Sequence, residues 1–271
     1  MKKIILCDGD SWTAGDIVDP NIFGDKLEHV NHPDNTKYRL PRVWPGKLEK
    51  LIGIKTDNIS IAGSSNDAIV RRTLRRVIEL LETYQPEEIF VIIGWSSPER
   101  KDFHYDYDGV KKWETFYPHA ILDPEQLGRR TKDEQEFYKS YVKYYWNEEE
   151  YFSRYIHNNL YLHYFLKGNN VQHMFFDAFY QTDLGHHHNY EMRTDGVATE
   201  HKFLEVTKDI YKNISFKNFM IDYRSGIGKA SDRRYDFKQG LFSKDNSHPS
   251  ENAHQLWAEE LFKDLKGKIN A

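Results

Sequence analysis

Ile4-Ile5-Leu6-Cys7-Asp8-Gly9-Asp10-Ser11 is the stretch that decides how this chain is read. Four apolar residues are too few for a buried helix and suit a covered strand. The run stops at two carboxylates, a glycine and a serine. A strand with that ending presents reactive groups at its carboxyl end, where open parallel α/β sheets bind their ligands.

Similar short apolar runs recur outward from that strand. Residues 3–7, 58–61, 89–93, 171–176 and 219–222 are predicted strands. The third, Ile89-Phe90-Val91-Ile92-Ile93, is apolar throughout, as a strand covered on both faces requires. Between the runs lie helical patterns at 65–84, 134–146, 149–166 and 251–266. In the first, Ile69, Leu74, Val77, Ile78 and Leu81 recur at helical spacing, while Arg71, Arg72, Arg75 and Arg76 fill the other face. That basic face is either a solvated surface or a phosphate patch. The alternation predicts a three-layer α/β/α fold around a parallel sheet of about five strands, flavodoxin-like in arrangement. With 271 residues, the chain reads as a single domain, 1–271. Two polar, turn-rich insertions, near 97–132 and 181–218, interrupt it, and loops of that length in compact domains are commonly functional.

Composition narrows the partners. Lys and Arg total 38 against 42 Asp and Glu, a net charge of −4. That balance gives no general attraction to nucleic acid or to an anionic membrane. No run is long enough to cross a bilayer. The lone cysteine, Cys7, reads as core and forms no intrachain disulfide. Lys2-Lys3 before so short an apolar run does not make a signal peptide, so a cytoplasmic protein is expected. Aromatic residues, 15% of the chain, gather between 137 and 180 as core or as a binding surface.

Serine attacks a carbonyl only when a neighbouring base takes its proton, and that base is normally a histidine oriented by a carboxylate. Near the other end of the chain stands Asp245-Asn246-Ser247-His248-Pro249, with both partners on one loop before the last predicted helix. Gly9-Asp10-Ser11 and Asp245-x-x-His248 together resemble the first and last blocks of the SGNH (GDSL-type) hydrolases, in order and in chain position. Asn58-Ile59-Ser60-Ile61-Ala62-Gly63 is similar to the family's second block. The resemblance implies a serine esterase: Ser11 as nucleophile, His248 as base, Asp245 orienting the imidazole, and the amides of Ser11 and Gly63 binding the oxyanion. It implies no metal or organic cofactor, and a small-molecule or carbohydrate ester as substrate. One block departs. Gly94-Trp95-Ser96-Ser97 carries Ser96 where the family has an asparagine donor. Losing one such donor typically costs about 10²–10³-fold in rate. Ser96 is then a shorter third donor, Arg100 on the same loop is a source of positive charge or an ordinary surface residue, or the chain is a non-catalytic binding or assembly protein that kept the fold.

The same letters allow a second chemistry. Asp8-x-Asp10 after an apolar strand resembles the opening motif of haloacid-dehalogenase-type phosphatases, where two aspartates act with Mg²⁺. That reading needs a later acidic pair. Only Asp222 offers itself, and Asp245-x-x-His248 stays unexplained. Plainer roles also compete. Ser11 suits a helix N-cap, Asp10 a turn, Gly63 a tight corner, and Asn66 a cap region or a substrate contact. His186-His187-His188 reads as a polar loop, because adjacent histidines do not share a face. His254 faces either solvent or core. Trp12, Trp95 and Tyr105 are packing residues or sugar-stacking platforms.

Overall fold

The computed structural model describes residues 2–24, 29–107, 109–117, 123–179, 205, 208–212, 214–225, 241–242 and 248–269. In chain order the elements are β1 (Ile4–Asp8), α1 (Ser11–Ala14), α2 (Pro20–Phe23), α3 (Pro33–Arg39), α4 (Trp44–Ile52), β2 (Lys55–Asn58), α5 (Asn66–Leu81), β3 (Ile89–Trp95), β4 (Lys101–Tyr107), β5 (Val110–Phe116), α6 (Pro124–Gly128), α7 (Lys132–Tyr144), α8 (Glu148–Gly168), β6 (Gln172–Asp177), α9 (Phe216–Ser225) and α10 (Glu251–Leu265).

The expected parallel α/β sheet is present, with strand order β2-β1-β3-β6. Residues alternate across it. Ile5, Cys7, Phe90, Ile92, Met174 and Phe176 face one layer, packing with Trp44 and Leu48 of α4 and with Trp257 and Leu261 of α10. Ile4, Leu6, Val91, Ile93 and Phe175 face the other, with Ile69 and Val77 of α5 and Tyr155 and Leu162 of α8. The two-residue period thus sends each strand's side chains into both helical layers, which is why β1 and β3 are apolar without a break.

Two predicted elements change. The second strand lies at Lys55–Asn58 rather than 58–61, because it is a half-exposed edge and carries no apolar run. Residues 219–222 are helical, inside α9. The fifth sheet position is held instead by a single parallel bridge from Tyr211 to Phe175, with Lys212 N donating to Phe175 O at 2.9 Å. The insertion near 97–132 contains an antiparallel hairpin, β4–β5, packed on α7 through Phe103, Phe116, Tyr138 and Tyr141. Most of the second insertion, including His186, His187 and His188, lies outside the described residues. The aromatic stretch divides: Tyr138, Tyr141 and Tyr155 are buried, while Phe137, Tyr144, Tyr145, Tyr161 and Tyr164 are exposed. Among the described residues no helix is long and apolar enough to cross a membrane.

Candidate active site

The end of β1 is built around buried charge. Asp8 is fully buried. Its Oδ1 accepts from Arg72 Nη2 at 2.5 Å and Nε at 3.2 Å, and its Oδ2 accepts from Thr73 Oγ1 at 2.9 Å. Burial still prevails, and the carboxyl is pushed up to about 6 despite the neighbouring guanidinium. Gly9 follows because nothing larger fits. A Cβ there would stand 2.3 Å from Thr13 Oγ1 and 2.8 Å from the Gly94 carbonyl oxygen.

Asp10 is the N-cap of α1, its Oδ1 accepting from Trp12 N at 2.9 Å. The capping role weighed for Ser11 therefore belongs to Asp10, and the turn role expected of Asp10 is met. Ser11, at the first helical position, keeps its hydroxyl for another partner. That partner is His248, whose Nε2 lies 3.0 Å from Ser11 Oγ across 237 residues of sequence. His248 reaches this point because Pro249 bridges to Phe242 and Ser250 caps α10, accepting from Ala253 N. Asp245 lies outside the described residues.

A carboxylate that the sequence did not advertise joins the pair. Asp16 Oδ2 stands 2.9 Å from the same Nε2. A carboxylate only accepts, so this contact is a hydrogen bond when Nε2 carries a proton. His254, six residues beyond His248, takes no part. It is fully buried, its Nδ1 accepts from Trp44 N at 3.3 Å, and burial pushes it down to about 3.

Gly63 sits at a corner with φ +81°, beside a Ser64 N to Ile61 O bond of 3.2 Å. Its carbonyl accepts from the Tyr117 hydroxyl. Neither the Gly63 amide nor the Ser11 amide is hydrogen-bonded to a described residue. Asn66 does not line the cleft as a substrate contact. Ser65 is the cap of α5, and Asn66 clamps the Ser96 backbone, donating to its O at 3.1 Å and accepting from its N at 2.8 Å. Ser96 Oγ donates to Asp10 Oδ2 at 2.7 Å. Arg100 is no ordinary surface residue: its Nη1 reaches Asp10 Oδ2 at 3.1 Å, Ser96 Oγ at 2.8 Å and Ser64 O at 3.3 Å.

Other expected surfaces resolve into structure. Arg71 pairs with Asp102, Arg72 with Asp8, Arg75 with Glu79, and Arg76 with Asp57 and Glu79. The basic face of α5 is thus held by carboxylates from its own helix and from other elements. Trp12 and Trp95 are buried, so neither offers a stacking face, and Tyr105 lies on the hairpin strand β4 under Lys112. Asp8 and Asp10 are each wholly buried and fully engaged, which gives the two-aspartate phosphatase geometry no support. Asp222, its other requirement, lies within α9 rather than after a strand.

Residues 25–201 match a family of unknown function (DUF6071), and the chain belongs to that family. Comparison with curated proteins gives no match. Among solved structures, the chain is similar to a G-D-S-L family protein from Desulfitobacterium hafniense DCB-2 (15% identity, 97% of this chain and 100% of that one, TM-score 0.47). It is also similar to the psychrotrophic esterase EstA from Pseudoalteromonas sp. (16%, 100% of both chains, 0.45). A third is a carbohydrate esterase whose active site is described as having divergent catalytic and non-catalytic binding functions (14%, 98% and 69%, 0.46). At these identities and scores no chemistry transfers to the present chain.

Proposed function

We propose that the chain is an SGNH-type serine esterase acting on an ester of a small polar or carbohydrate substrate. The observation that carries this reading is the 3.0 Å contact between Ser11 Oγ and His248 Nε2. Ser11 Oγ attacks the carbonyl carbon while its proton passes to Nε2. The carbonyl oxygen becomes an oxyanion received by the Ser11 and Gly63 amides, neither of which a described residue engages. Collapse breaks the bond to the leaving alcohol, which takes the proton back from the imidazolium. Water then repeats the sequence on the acyl-serine. Asp245, three residues before His248, is the proposed orienting carboxylate, and Asp16 steadies the imidazolium that the attack creates.

The polar character of the substrate is argued from the surroundings: Arg100 and Tyr117, at the end of the hairpin insertion, stand beside the Gly63 corner. One observation favours the non-catalytic alternative, namely that the Ser96 hydroxyl is already committed to Asp10. A fluorophosphonate probe separates the readings. Labelling at Ser11 and hydrolysis of p-nitrophenyl acetate, both abolished in Ser11→Ala and His248→Ala, are expected. A folded protein that neither labels nor hydrolyses is the binding protein. Mg²⁺-dependent turnover of p-nitrophenyl phosphate would return the reaction to Asp8 and Asp10.

A further inference from the structure

The hydrogen bonds around Ser96 have only one consistent assignment. A guanidinium only donates, so Ser96 Oγ accepts from Arg100 Nη1. The single hydroxyl proton of Ser96 then goes to Asp10 Oδ2. Ser96 therefore has no proton left for an oxyanion, and the third-donor role expected of it is empty.

Arg100 stands where that role is needed. Its Nη1 binds Asp10, the residue before the nucleophile, and the carbonyl of Ser64, the residue after Gly63. It is thus tied to the chain neighbour of each residue whose amide is assigned to the oxyanion. A guanidinium carries five N–H groups in one rigid plane. The acceptors just named engage only Nη1. The Nε and Nη2 hydrogens bond to no described residue. The side chain is 17% exposed and bordered by the Tyr117 and Phe179 rings, 5.1 and 5.4 Å from Cζ. The chain further fixes this arginine from behind, since Arg154 Nη1 donates to the Arg100 carbonyl at 2.8 Å.

We propose that Arg100 is a catalytic residue, the third oxyanion donor in place of Ser96, with Asp10 and Ser96 serving to hold its guanidinium. The inference rests on the serine-esterase reading. In the attack step the carbonyl π pair moves onto oxygen as the Ser11 Oγ–C bond forms. Arg100 donates a hydrogen bond to that oxygen without transferring its proton.

The test starts with the native full-length chain. Fluorophosphonate labelling of Ser11 and turnover of p-nitrophenyl acetate establish the esterase independently of Arg100. Their absence sinks that reading and this one with it. Given an active native enzyme, Arg100→Met is expected to lower kcat by about 10²–10³-fold with KM changed by less than about threefold. Affinity for an arylboronic acid, whose serine adduct is a tetrahedral anion, should fall in parallel. Arg100→Lys keeps a cation against Asp10 and serves if the Met variant does not fold. Its three ammonium donors fall short of the four acceptors, Asp10, Ser96, Ser64 and the acyl oxygen, so at least a tenfold loss in kcat remains. A kcat held within about threefold in the folded variant, with or without a rise in KM, overturns the proposal. So does a loss of kcat without loss of boronate affinity.

Discussion

Arg72→Met offers a quantitative test of how the catalytic corner is held. Asp8 is wholly buried, and burial raises its carboxyl from the ordinary 3.8 to about 6 while Arg72 acts in the opposite direction. A carboxyl that binds its proton more tightly when folded weakens the fold at high pH and is relieved as pH falls. An adjacent cation lowers a carboxyl by about 1–3 units. Removing Arg72 therefore extends the unfavourable window upward by about two units. At about 1.4 kcal/mol per unit, the variant loses about 3 kcal/mol at pH 8 that the native chain keeps. At pH 5 both folded forms carry a neutral Asp8, and this loss vanishes. What remains is the pair of bonds from the Arg72 guanidinium to the uncharged acceptors Gly9 O at 3.1 Å and Ser64 Oγ at 3.0 Å, together about 3 kcal/mol. Urea unfolding of native and variant chains at pH 5 and pH 8 reads both terms. Equal losses at the two pH values would refute the argument and show that Asp8 is not charged in the native fold at pH 8.

Three further outcomes follow from the same geometry. Activity should fall as acid protonates His248, and Asp16→Asn, which removes the carboxylate 2.9 Å from Nε2, should lower kcat; an unchanged kcat denies Asp16 a part in holding the imidazolium. Gly63→Ala puts a Cβ 1.9 Å from the Tyr117 hydroxyl at a φ of +81°, so a loss of about 1–2 kcal/mol in stability and about 10²-fold in kcat is expected, read by thermal melting and steady-state kinetics. Burial holds His254 down to about 3 and His173 down to about 4, so the unfolded chain binds more protons below pH 6.5 and stability drops on acidification. From pH 7.5 to 4.5 the two histidines cost about 5 kcal/mol and Asp8 returns about 2, a net loss of about 3 kcal/mol in urea unfolding; a flat profile would contradict their burial.

Patterns set by burial were legible in the sequence, and patterns set by tertiary partners were not. β1, β3 and β6 declared themselves as apolar runs because both their faces are covered. β2 did not, because an edge strand needs no such run and Lys55-Thr56-Asp57-Asn58 looks like a turn. Residues 219–222 looked like a strand because four residues are too few to tell a period of 2 from one of 3.6. The site shows the same division. Ser11 and His248 were found through residue type and chain order. Arg72, Asp16 and Tyr117 carried no local mark, since each matters only through a contact made across the fold. The arginines of α5 looked unpaired because most of their carboxylates lie elsewhere in sequence, Asp8 and Asp57 before them and Asp102 after.

The division of labour among Asp8, Asp10 and Ser11 explains why a strand should end in those letters. A serine at a helix start ordinarily spends its oxygen on the backbone amides of the first turn. Here Asp10 supplies that cap with Oδ1 and uses Oδ2 to bind Ser96 and Arg100. Asp8, two residues further back, ties the strand end to α5 through Arg72 and Thr73. Each carboxylate takes over a structural duty, and the hydroxyl between them and the helix is released to His248. The proposed esterase depends on that release. It makes a direct demand: Asp10→Ala should lower turnover, because it removes the α1 cap and releases Ser96 and Arg100 together. Asp10→Asn, which keeps the Oδ1 acceptor for Trp12 N, should restore the fold while leaving Arg100 without the Asp10 carboxylate and turnover low. If Asp10→Asn proves fully active, the guanidinium does not depend on that carboxylate, and the corner is organised by something other than the charges described.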